Sequence, residues 1–349
     1  MSEGLANPGD ERVARLAAEL GVSKDTRLSE EFLAESLGLI TDQPDTLDLK
    51  IAASAIAEMR DAFAMFAPFK DVRKVSIFGS ARTTKEDPLY EQARAAAHGL
   101  AEAGWMVVTG AGPGIMEAGM LGAGRERSIG VSIRLPFETA ANFVIAGDAK
   151  HVSMKYFFTR KLMLVKESSA FVCLPGGFGT LDETFELLTL TQTGKGVPVP
   201  IVFLDTPGDQ YWEAVDEFVE THLVGRGLVS PPDRSLYRIT DDHMVAVREI
   251  ERFYANYHSV RYIGDDLVIR MHQGPTEAQL ADLTEQFGRL ATDGIIRRVE
   301  PYGIERRQND HVHLARIAFE FDRHRYSSLR GLIDALNAFV SPGVVPVVD

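Results

Sequence analysis

The segment Ala170-Phe171-Val172-Cys173-Leu174-Pro175-Gly176-Gly177-Phe178-Gly179-Thr180 gives the strongest indication of the fold. In it, a short apolar run leads into a glycine-rich turn. The apolar-periodic segment that follows, up to Thr193, predicts a helix. Glycines lack a Cβ atom, so backbone N–H groups can approach an anion, and the helix start and the Thr180 hydroxyl add further donors. The stretch therefore predicts a strand, a phosphate-binding turn and a helix.

Two carboxylates, Asp182 and Glu183, follow this turn directly. If they stand at the start of the helix, its dipole favours their ionised forms. A charged Glu183 beside a bound anion could activate water or stabilise a positively charged sugar, as the hydrolysis of a glycosidic bond requires. The alternative is an ordinary tight turn in which Thr180 is the N-cap and Glu183 completes a capping box.

Outward from this stretch, short apolar runs alternate with helical segments between Arg73 and about Tyr254. This alternation predicts a doubly wound, Rossmann-like α/β domain with a parallel sheet covered on both faces. In such sheets, ligands bind beyond the carboxyl ends of the strands. The predicted strands are Lys74 to Phe78, Trp105 to Thr109, Gly130 to Leu135, Ala170 to Leu174 and Val199 to Leu204.

Two other glycine turns follow predicted strands and could wall the same pocket, namely Phe78-Gly79-Ser80-Ala81-Arg82 and Thr109-Gly110-Ala111-Gly112-Pro113-Gly114-Ile115-Met116-Glu117. The second turn has the spacing Gly-x-Gly-x-Gly, which differs from the dinucleotide-binding fingerprint. No acidic residue ends the next predicted strand to hold a ribose hydroxyl. These features argue against an enzyme that transfers hydride.

The chain divides, by pattern, into an N-terminal helical region (1–70), the Rossmann-like domain (71–258) and a small α+β unit (259–349). The first region predicts helices at Glu11 to Leu20, Ser29 to Leu37 and Leu47 to Phe66. The last unit predicts a βαββα order and resembles a ferredoxin-like or regulatory fold. It carries no catalytic constellation, so we expect a regulatory or oligomeric role.

Composition limits the function classes. The 349 residues carry a net charge of -13, which argues against a surface that coats nucleic acid. The chain shows no apolar run long enough to span a bilayer and no signal-peptide pattern at Met1 to Glu11, so we expect a cytoplasmic protein without membrane partners.

Cys173 is the single cysteine. Its apolar surroundings favour a buried thiol over a nucleophile.

Charged and metal-ligating side chains give two further candidates. Arg160 and Lys161 lie in a predicted helix, Met154 to Glu167, and the apolar flanks of Arg160 leave a pocket role and a solvated face equally open. His311 and His313 share a strand face, but no nearby acidic or thiolate partner completes a ligand set. We therefore expect a surface or core pair and no metal site.

The assembled motifs resemble the Lonely Guy (LOG) family of phosphoribohydrolases, which are often mislabelled lysine decarboxylases. The family pattern Pro-Gly-Gly-x-Gly-Thr-x-x-Glu matches Pro175 to Glu183, and the upstream Arg-Lys pair matches Arg160-Lys161. The resemblance implies that Arg160 and Glu183 are catalytic. It implies substrate contacts from Gly79, Ser80, Gly110, Gly112, Gly114, Asn142, Met154, Lys161, Pro175, Gly176, Gly177, Phe178, Gly179, Thr180, Asp182 and Thr189.

This resemblance implies hydrolysis of the N-glycosidic bond of AMP or a related purine nucleoside 5'-monophosphate, with no cofactor, by a homodimer or larger homo-oligomer. A non-catalytic nucleotide or molybdenum-cofactor carrier is the alternative, because related Rossmann-like proteins have similar loops. The pair Arg160 and Glu183 discriminates between them, since a carrier needs the phosphate loop but no charged pair at the sugar.

Overall fold

The computed structural model describes residues 11–134 and 141–340. The chain divides into two compact units, residues 1–63 and 64–349. All three helices predicted for the N-terminal region are present, and the third ends three residues beyond the first unit. The helices are α1 (Glu11–Glu19), α2 (Thr26–Thr41) and α3 (Thr46–Phe66).

The second unit contains a parallel sheet of seven strands in the order β4-β3-β2-β1-β5-β6-β7. This confirms the predicted doubly wound α/β class. The central strands are fully buried, because helices cover both faces of the sheet. The strands are β1 (Lys74–Phe78), β2 (Met106–Thr109), β3 (Ser128–Ile133), β4 (His151–Met154), β5 (Ala170–Cys173), β6 (Ile201–Leu204) and β7 (Tyr237–Thr240).

The strands that the sequence pattern missed, β4 and β7, form the two edges of this sheet. Edge strands are partly exposed, so β4 and β7 lack the continuous apolar run that identified the central strands. The predicted helix from Met154 was therefore placed too early: Met154 ends β4, and α6 begins at Phe157. Leu135, predicted as the end of the third strand, lies outside the described residues.

Six helices accompany the sheet: α4 (Pro88–Glu102), α5 (Ile115–Ala123), α6 (Phe157–Lys166), α7 (Phe178–Gln192), α8 (Tyr211–Phe218) and α9 (His243–Phe253). Helix α4 begins at Pro88, with the Asp87 side chain accepting a hydrogen bond from the Leu89 N–H group. None of the helices in the described parts of the chain has both the length and the apolar character that crossing a bilayer requires.

The C-terminal part is α+β, as predicted, with an antiparallel sheet in the order β10-β11-β9-β8. Its elements are β8 (Tyr257–Ile263), β9 (Asp266–Met271), α10 (Glu277–Phe287), β10 (Arg297–Arg298), α11 (Gly303–Gln308), β11 (Ala315–Glu320) and α12 (Leu329–Asn337). The predicted βαββα order missed the edge strand β8. The pattern also predicts one strand from Ile295 to Tyr302, but only Arg297–Arg298 pair as β10. Pro301 stops the strand, and the Glu305 side chain caps the start of α11, a helix that the pattern does not predict.

The C-terminal sheet and the parallel sheet share one hydrophobic core. One cluster of buried side chains includes Val75 of β1, Phe253 of α9 and Phe319 of β11. At the junction, the Asn337 side chain accepts hydrogen bonds from the Asn256 and Tyr257 N–H groups at 2.9 and 2.8 Å and donates one to the Phe253 carbonyl at 2.7 Å. The last helix thus fixes the start of β8 against the end of α9.

Candidate functional site

Three glycine-containing loops meet at the carboxyl ends of β1, β2 and β5, and Ser80 links them. The Ser80 N–H group donates to the Pro175 carbonyl at 3.2 Å, and the Ser80 carbonyl accepts from the Ile115 N–H group at 3.0 Å. The loop after β1 is therefore bonded to the loop after β5 and to the start of α5. These backbone contacts bring together three of the sequence motifs that predict a pocket.

Close packing between these loops explains several of their glycines. A Cβ atom on Gly176 would stand 2.2 Å from the Thr180 hydroxyl oxygen, and one on Gly79 would stand 2.6 Å from the Ile115 side chain. Gly114 has a φ of +68°, and a Cβ there would stand 2.3 Å from the Ser80 carbonyl oxygen. Because none of these positions has room for a side chain, the loops approach one another more closely than other residues permit.

The start of α7 presents backbone donors at this meeting point. Its N-cap is Gly177, which makes no side-chain cap, and the first bond of the helix runs from the Leu181 N–H group to the Gly177 carbonyl at 3.1 Å. The N–H groups of Phe178, Gly179 and Thr180 precede that bond and belong to the free end of the helix. The alternative with Thr180 as N-cap is wrong, because the N-cap is Gly177, three residues earlier, and the helix begins at Phe178.

This earlier start also corrects the expectation for Asp182 and Glu183. Both carboxylates lie in the second turn of α7, and the effect of the helix dipole falls off within the first turn. Burial raises the pKa of Glu183 above its ordinary value, and the nearby positive charges of Arg160 and Lys161 oppose that shift. The environment of Glu183 is thus set by burial and by two cations, and not by the dipole.

Arg160 lies on α6 and is 9% exposed. Its Nε donates to the Val131 carbonyl of β3 at 3.0 Å, and its Nη1 donates to Oε1 of Glu183 at 3.3 Å. A Cβ atom on Gly110 would stand 2.1 Å from Nη2 of Arg160. The absence of a side chain at Gly110 therefore leaves the space that the guanidinium group occupies, at the end of β2. Arg160 is therefore buried against β3 and α7 and does not lie on a solvated face.

Lys161, the neighbour of Arg160, forms ion pairs with two carboxylates on α7. Its Nζ lies 2.7 Å from Asp182 and 2.9 Å from Glu186. Burial lowers the pKa of Lys161, but its hydrogen bonds to the two carboxylates outweigh burial and raise the pKa overall. Lys161 and Asp182, both predicted as substrate contacts, are thus already paired with protein groups and fix α6 against α7.

Three other predicted contact residues are placed differently. The buried Asn142 uses its side-chain amide to donate to the Gly112 carbonyl at 3.0 Å, so it supports the loop after β2. Met154 has no exposed surface. Thr189 is exposed, its hydroxyl bonds to the Phe185 carbonyl, and it lies about 16 Å along α7 from the start of that helix. The structure does not bring Thr189 to the loops.

Two residues that shape the site, Tyr211 and Ala111, are not among the predicted site residues. The Tyr211 hydroxyl donates to the Gly176 carbonyl at 2.8 Å and so holds the glycine loop from the start of α8. Its position after the carboxyl end of β6, at the same edge of the sheet, could have indicated this role. Ala111 has a φ of +58°, an unusual conformation for a residue with a side chain, and the Asn142 N–H group bonds to its carbonyl at 2.8 Å.

Cys173 is fully buried, as predicted, and burial raises the pKa of its thiol to about 12. His311 and His313 lie with His258 and His272 in one cluster, in which the ring centres of His258 and His311 are 4.4 Å apart. Burial is the main reason that the pKa of His258 is lowered to about 4. Within residues 11–134 and 141–340, no group of three or more His, Cys, Asp or Glu side chains is placed to hold a metal ion.

Comparison with known proteins identifies relatives of this site. Residues 113–250 match the family model described as "Possible lysine decarboxylase". The chain is 31% identical over 101 residues to cytokinin riboside 5'-monophosphate phosphoribohydrolase LOG1 of Arabidopsis thaliana. The aligned segment covers 29% of this chain and 46% of that protein. The chain is 38% identical over 77 residues to the probable phosphoribohydrolase LOGL5 of Oryza sativa subsp. japonica, covering 22% and 30%.

The predicted resemblance to the LOG family is confirmed by these matches, which span less than half the length of each of these two curated relatives. Among solved structures, the chain is similar to the molybdenum cofactor binding protein from Rippkaea orientalis, with 17% identity, a TM-score of 0.36 and coverage of 51% of this chain and 94% of that one. The molybdenum cofactor carrier protein from Chlamydomonas reinhardtii gives 19% identity, a TM-score of 0.35 and coverage of 51% and 98%.

Proposed function

We propose that this protein hydrolyses the N-glycosidic bond of a nucleoside 5'-monophosphate, AMP or a related purine nucleotide, to the free base and ribose 5-phosphate. The observation that carries the proposal is the buried pair of Arg160 and Glu183, 3.3 Å apart, beside the free N-terminus of α7. Part of this chain is similar to proteins named as phosphoribohydrolases. Residues 113–250, which include the pair, match the family model. A carrier protein would need the loop but not the pair.

The loop from Gly176 to Thr180 binds the 5'-phosphate in this proposal. Free N–H groups at a helix start and the partial positive charge of the helix dipole both favour a phosphate. Glu183 lies four residues after Gly179, a rise of about 6 Å along α7. A nucleotide whose phosphate contacts the helix start would therefore extend its ribose along the helix toward Glu183.

The reaction breaks the bond between C1' and the base nitrogen and forms a bond between C1' and a water oxygen. The electron pair of the broken bond goes to the base, and the sugar passes through a cationic, oxocarbenium-like state. Glu183 takes the proton from the attacking water, for which its raised pKa makes it a stronger base, and the departing base ultimately receives a proton. Arg160 donates hydrogen bonds to the substrate and balances the charge of Glu183.

AMP is expected to be a far better substrate than adenosine. The phosphate contributes binding energy remote from the reacting bond, and that energy orients the sugar at Glu183. Losing charge-assisted hydrogen bonds of roughly 2 to 4 kcal/mol would lower kcat/KM by about 30-fold to 1,000-fold. The measurement is chromatographic detection of free adenine from each compound at equal concentration.

In the same assay, ribose 5-phosphate must appear in equal amount with adenine, which distinguishes hydrolysis from removal of the phosphate alone. A panel of purine and pyrimidine monophosphates then identifies the preferred base. Equal kcat/KM values for AMP and adenosine would contradict the assignment of the loop from Gly176 to Thr180 to the phosphate.

We further propose that the protein acts in the cytoplasm as a homodimer or larger homo-oligomer. Support comes from apolar side chains left exposed near the site: Phe157 and Phe158 on α6 are each 54% exposed, and Phe178 at the start of α7 is 93% exposed. Exposed aromatic groups in one region mark interaction surfaces. Light scattering of the purified chain should give at least twice its mass of 38.4 kDa, and a monomer mass would contradict the proposal.

A further inference from the structure

A cavity of about 370 Å³ lies between the parallel sheet and the C-terminal helices. It is lined by the first residues of β7, the end of α9, the turn after α10 and the start of α12. All seven strands are parallel, and the candidate active site lies at their carboxyl ends. The start of β7 therefore lies at the opposite, amino-terminal end of the strands. The cavity and the glycine loops share no residue.

The lining of this cavity is rich in arginine. Four arginines and two carboxylates face it, so its formal charge is four minus two, or +2, in a chain with a net charge of -13. A local excess of guanidinium groups attracts anions even when the whole protein is acidic. The charged side chains are Arg238, Arg252, Arg289, Arg330, Glu249 and Asp334.

Two of these arginines are held in place by the protein. Nη1 of Arg238 lies 2.6 Å from Oε2 of the buried Glu249, and Arg330 binds the other oxygen of the same carboxylate. Nε of Arg330 also lies 3.0 Å from Asp334, and its guanidinium carbon lies 5.2 Å from the centre of the Phe253 ring. Arg330 therefore has a fixed position, with one face covered by an aromatic ring.

The other two arginines, Arg252 and Arg289, are exposed at the cavity. Among the residues that the structure describes, neither guanidinium group makes a hydrogen bond or an ion pair within 4.0 Å. Arg252 has only a longer-range electrostatic interaction with Asp334. Each carries donors suited to bidentate recognition of a phosphate or carboxylate. The cavity thus combines two ordered arginines with two whose donors are available.

The size of the cavity and an aromatic wall limit the occupant. About 370 Å³ is within the range of sites for small molecules, roughly 300 to 1,000 Å³, and far too small for a macromolecule. Phe287 also lines the cavity, beside Gly331, where an added Cβ atom would stand 3.3 Å from its ring. An occupant with an organic part can contact this ring while its charged groups contact the arginines.

We propose that this cavity binds a small phosphorylated molecule that carries at least two negative charges. Arg252 and Arg289 bind its phosphate groups, and Arg330, oriented by Glu249 and Asp334, contributes the third guanidinium group. The site is separate from the proposed catalytic site and does not rest on the hydrolase function. It gives the C-terminal part of the chain a ligand of its own.

The test is calorimetric titration of the full chain with inorganic pyrophosphate at constant ionic strength. Replacing both exposed arginines, R252Q/R289Q, is expected to weaken binding at least tenfold, because two charged donor groups are lost. Neither side chain holds the fold, so both proteins should unfold at the same temperature. Any binding of pyrophosphate at the start of α7 is unchanged in R252Q/R289Q. The difference in binding between the parent and this variant therefore reports on the cavity alone.

Arg248 provides a matched control, because it is exposed on α9 one turn before Arg252 and does not line the cavity. R248Q removes one positive charge from the same helix and should leave pyrophosphate binding within twofold of the parental value. The proposal is overturned if R252Q/R289Q binds pyrophosphate as tightly as the parent, if R248Q weakens binding equally, or if the parent shows no binding at millimolar concentration.

Discussion

Glu183→Gln is expected to lower the turnover of AMP by roughly 100-fold or more while AMP still binds. Glutamine keeps the shape of the side chain and can still accept a hydrogen bond from Arg160, which lies 3.3 Å away. It cannot accept a proton from water and carries no charge to meet a cationic sugar. The measurements are single-turnover release of adenine and calorimetric binding of AMP.

The pH profile adds a second readout for Glu183. Burial raises the pKa of Glu183 above the ordinary 4.5. As the pH falls, Glu183 therefore takes up a proton at a higher pH than an exposed glutamate does. The kcat/KM of the parent should therefore decline on the acid side at a higher pH than an exposed glutamate would give, and this decline should be absent from the residual kcat/KM of the variant.

Asp182→Asn is the matched control, since Asp182 adjoins Glu183 but is largely exposed and binds Lys161. This change should lower turnover far less than Glu183→Gln. If Glu183→Gln in a folded, AMP-binding protein hydrolysed AMP at the parental rate, Glu183 would have no catalytic role. The carrier alternative would then account better for the site.

Gly110→Ala is expected to lower kcat/KM by about 100-fold, although the change adds only one methyl group. The new Cβ atom would stand 2.1 Å from Nη2 of Arg160, so the guanidinium group must move. The φ of Gly110 lies outside the left-handed region, so alanine causes no backbone strain there. The Cβ atom would also stand 2.8 Å from Sδ of Met116, whose flexible side chain can move aside more easily than the bonded guanidinium group of Arg160. The effect is measured by steady-state AMP hydrolysis.

Gly119→Ala on α5 is the control for this second prediction. Its Cβ atom would stand 3.4 Å or more from its neighbours, which is ordinary contact, and alanine favours a helix. Gly119→Ala should retain parental activity. Full activity of Gly110→Ala, with an unchanged unfolding temperature, would contradict a catalytic role for Arg160.

The centre of the fold could be predicted from sequence, and its edges could not. The five inner strands of the parallel sheet are rich in apolar residues, and β2, β5 and β6 are almost entirely apolar, because helices cover both faces of the sheet. The edge strands β4 and β7 contain His151, Ser153 and Arg238 among their few residues, so no apolar run marks them. In the C-terminal sheet, the edge strand β8 escaped prediction for the same reason.

The site shows a similar limit. The motif around Gly176 and the pair Arg160-Lys161 could be recognised, because their residue types carry chemistry at a fixed spacing. The contact between Gly110 and Arg160 joins residues 50 positions apart and depends on how α6 packs against β3, which local pattern does not encode. The environment of Glu183 depends on burial, so its raised pKa contradicts what its place near a helix start suggested.

The arrangement around Asn337 bears on where this chain can be cut. The Asn337 side chain forms three hydrogen bonds with backbone groups at the end of α9 and the start of β8. A fragment that ends at residue 258 would lose those bonds and leave the apolar face of α9 around Phe253 open to water. A protease that cleaves between the two sheets should therefore yield pieces that stay together, and expression of a shorter chain requires the sequence through Asn337.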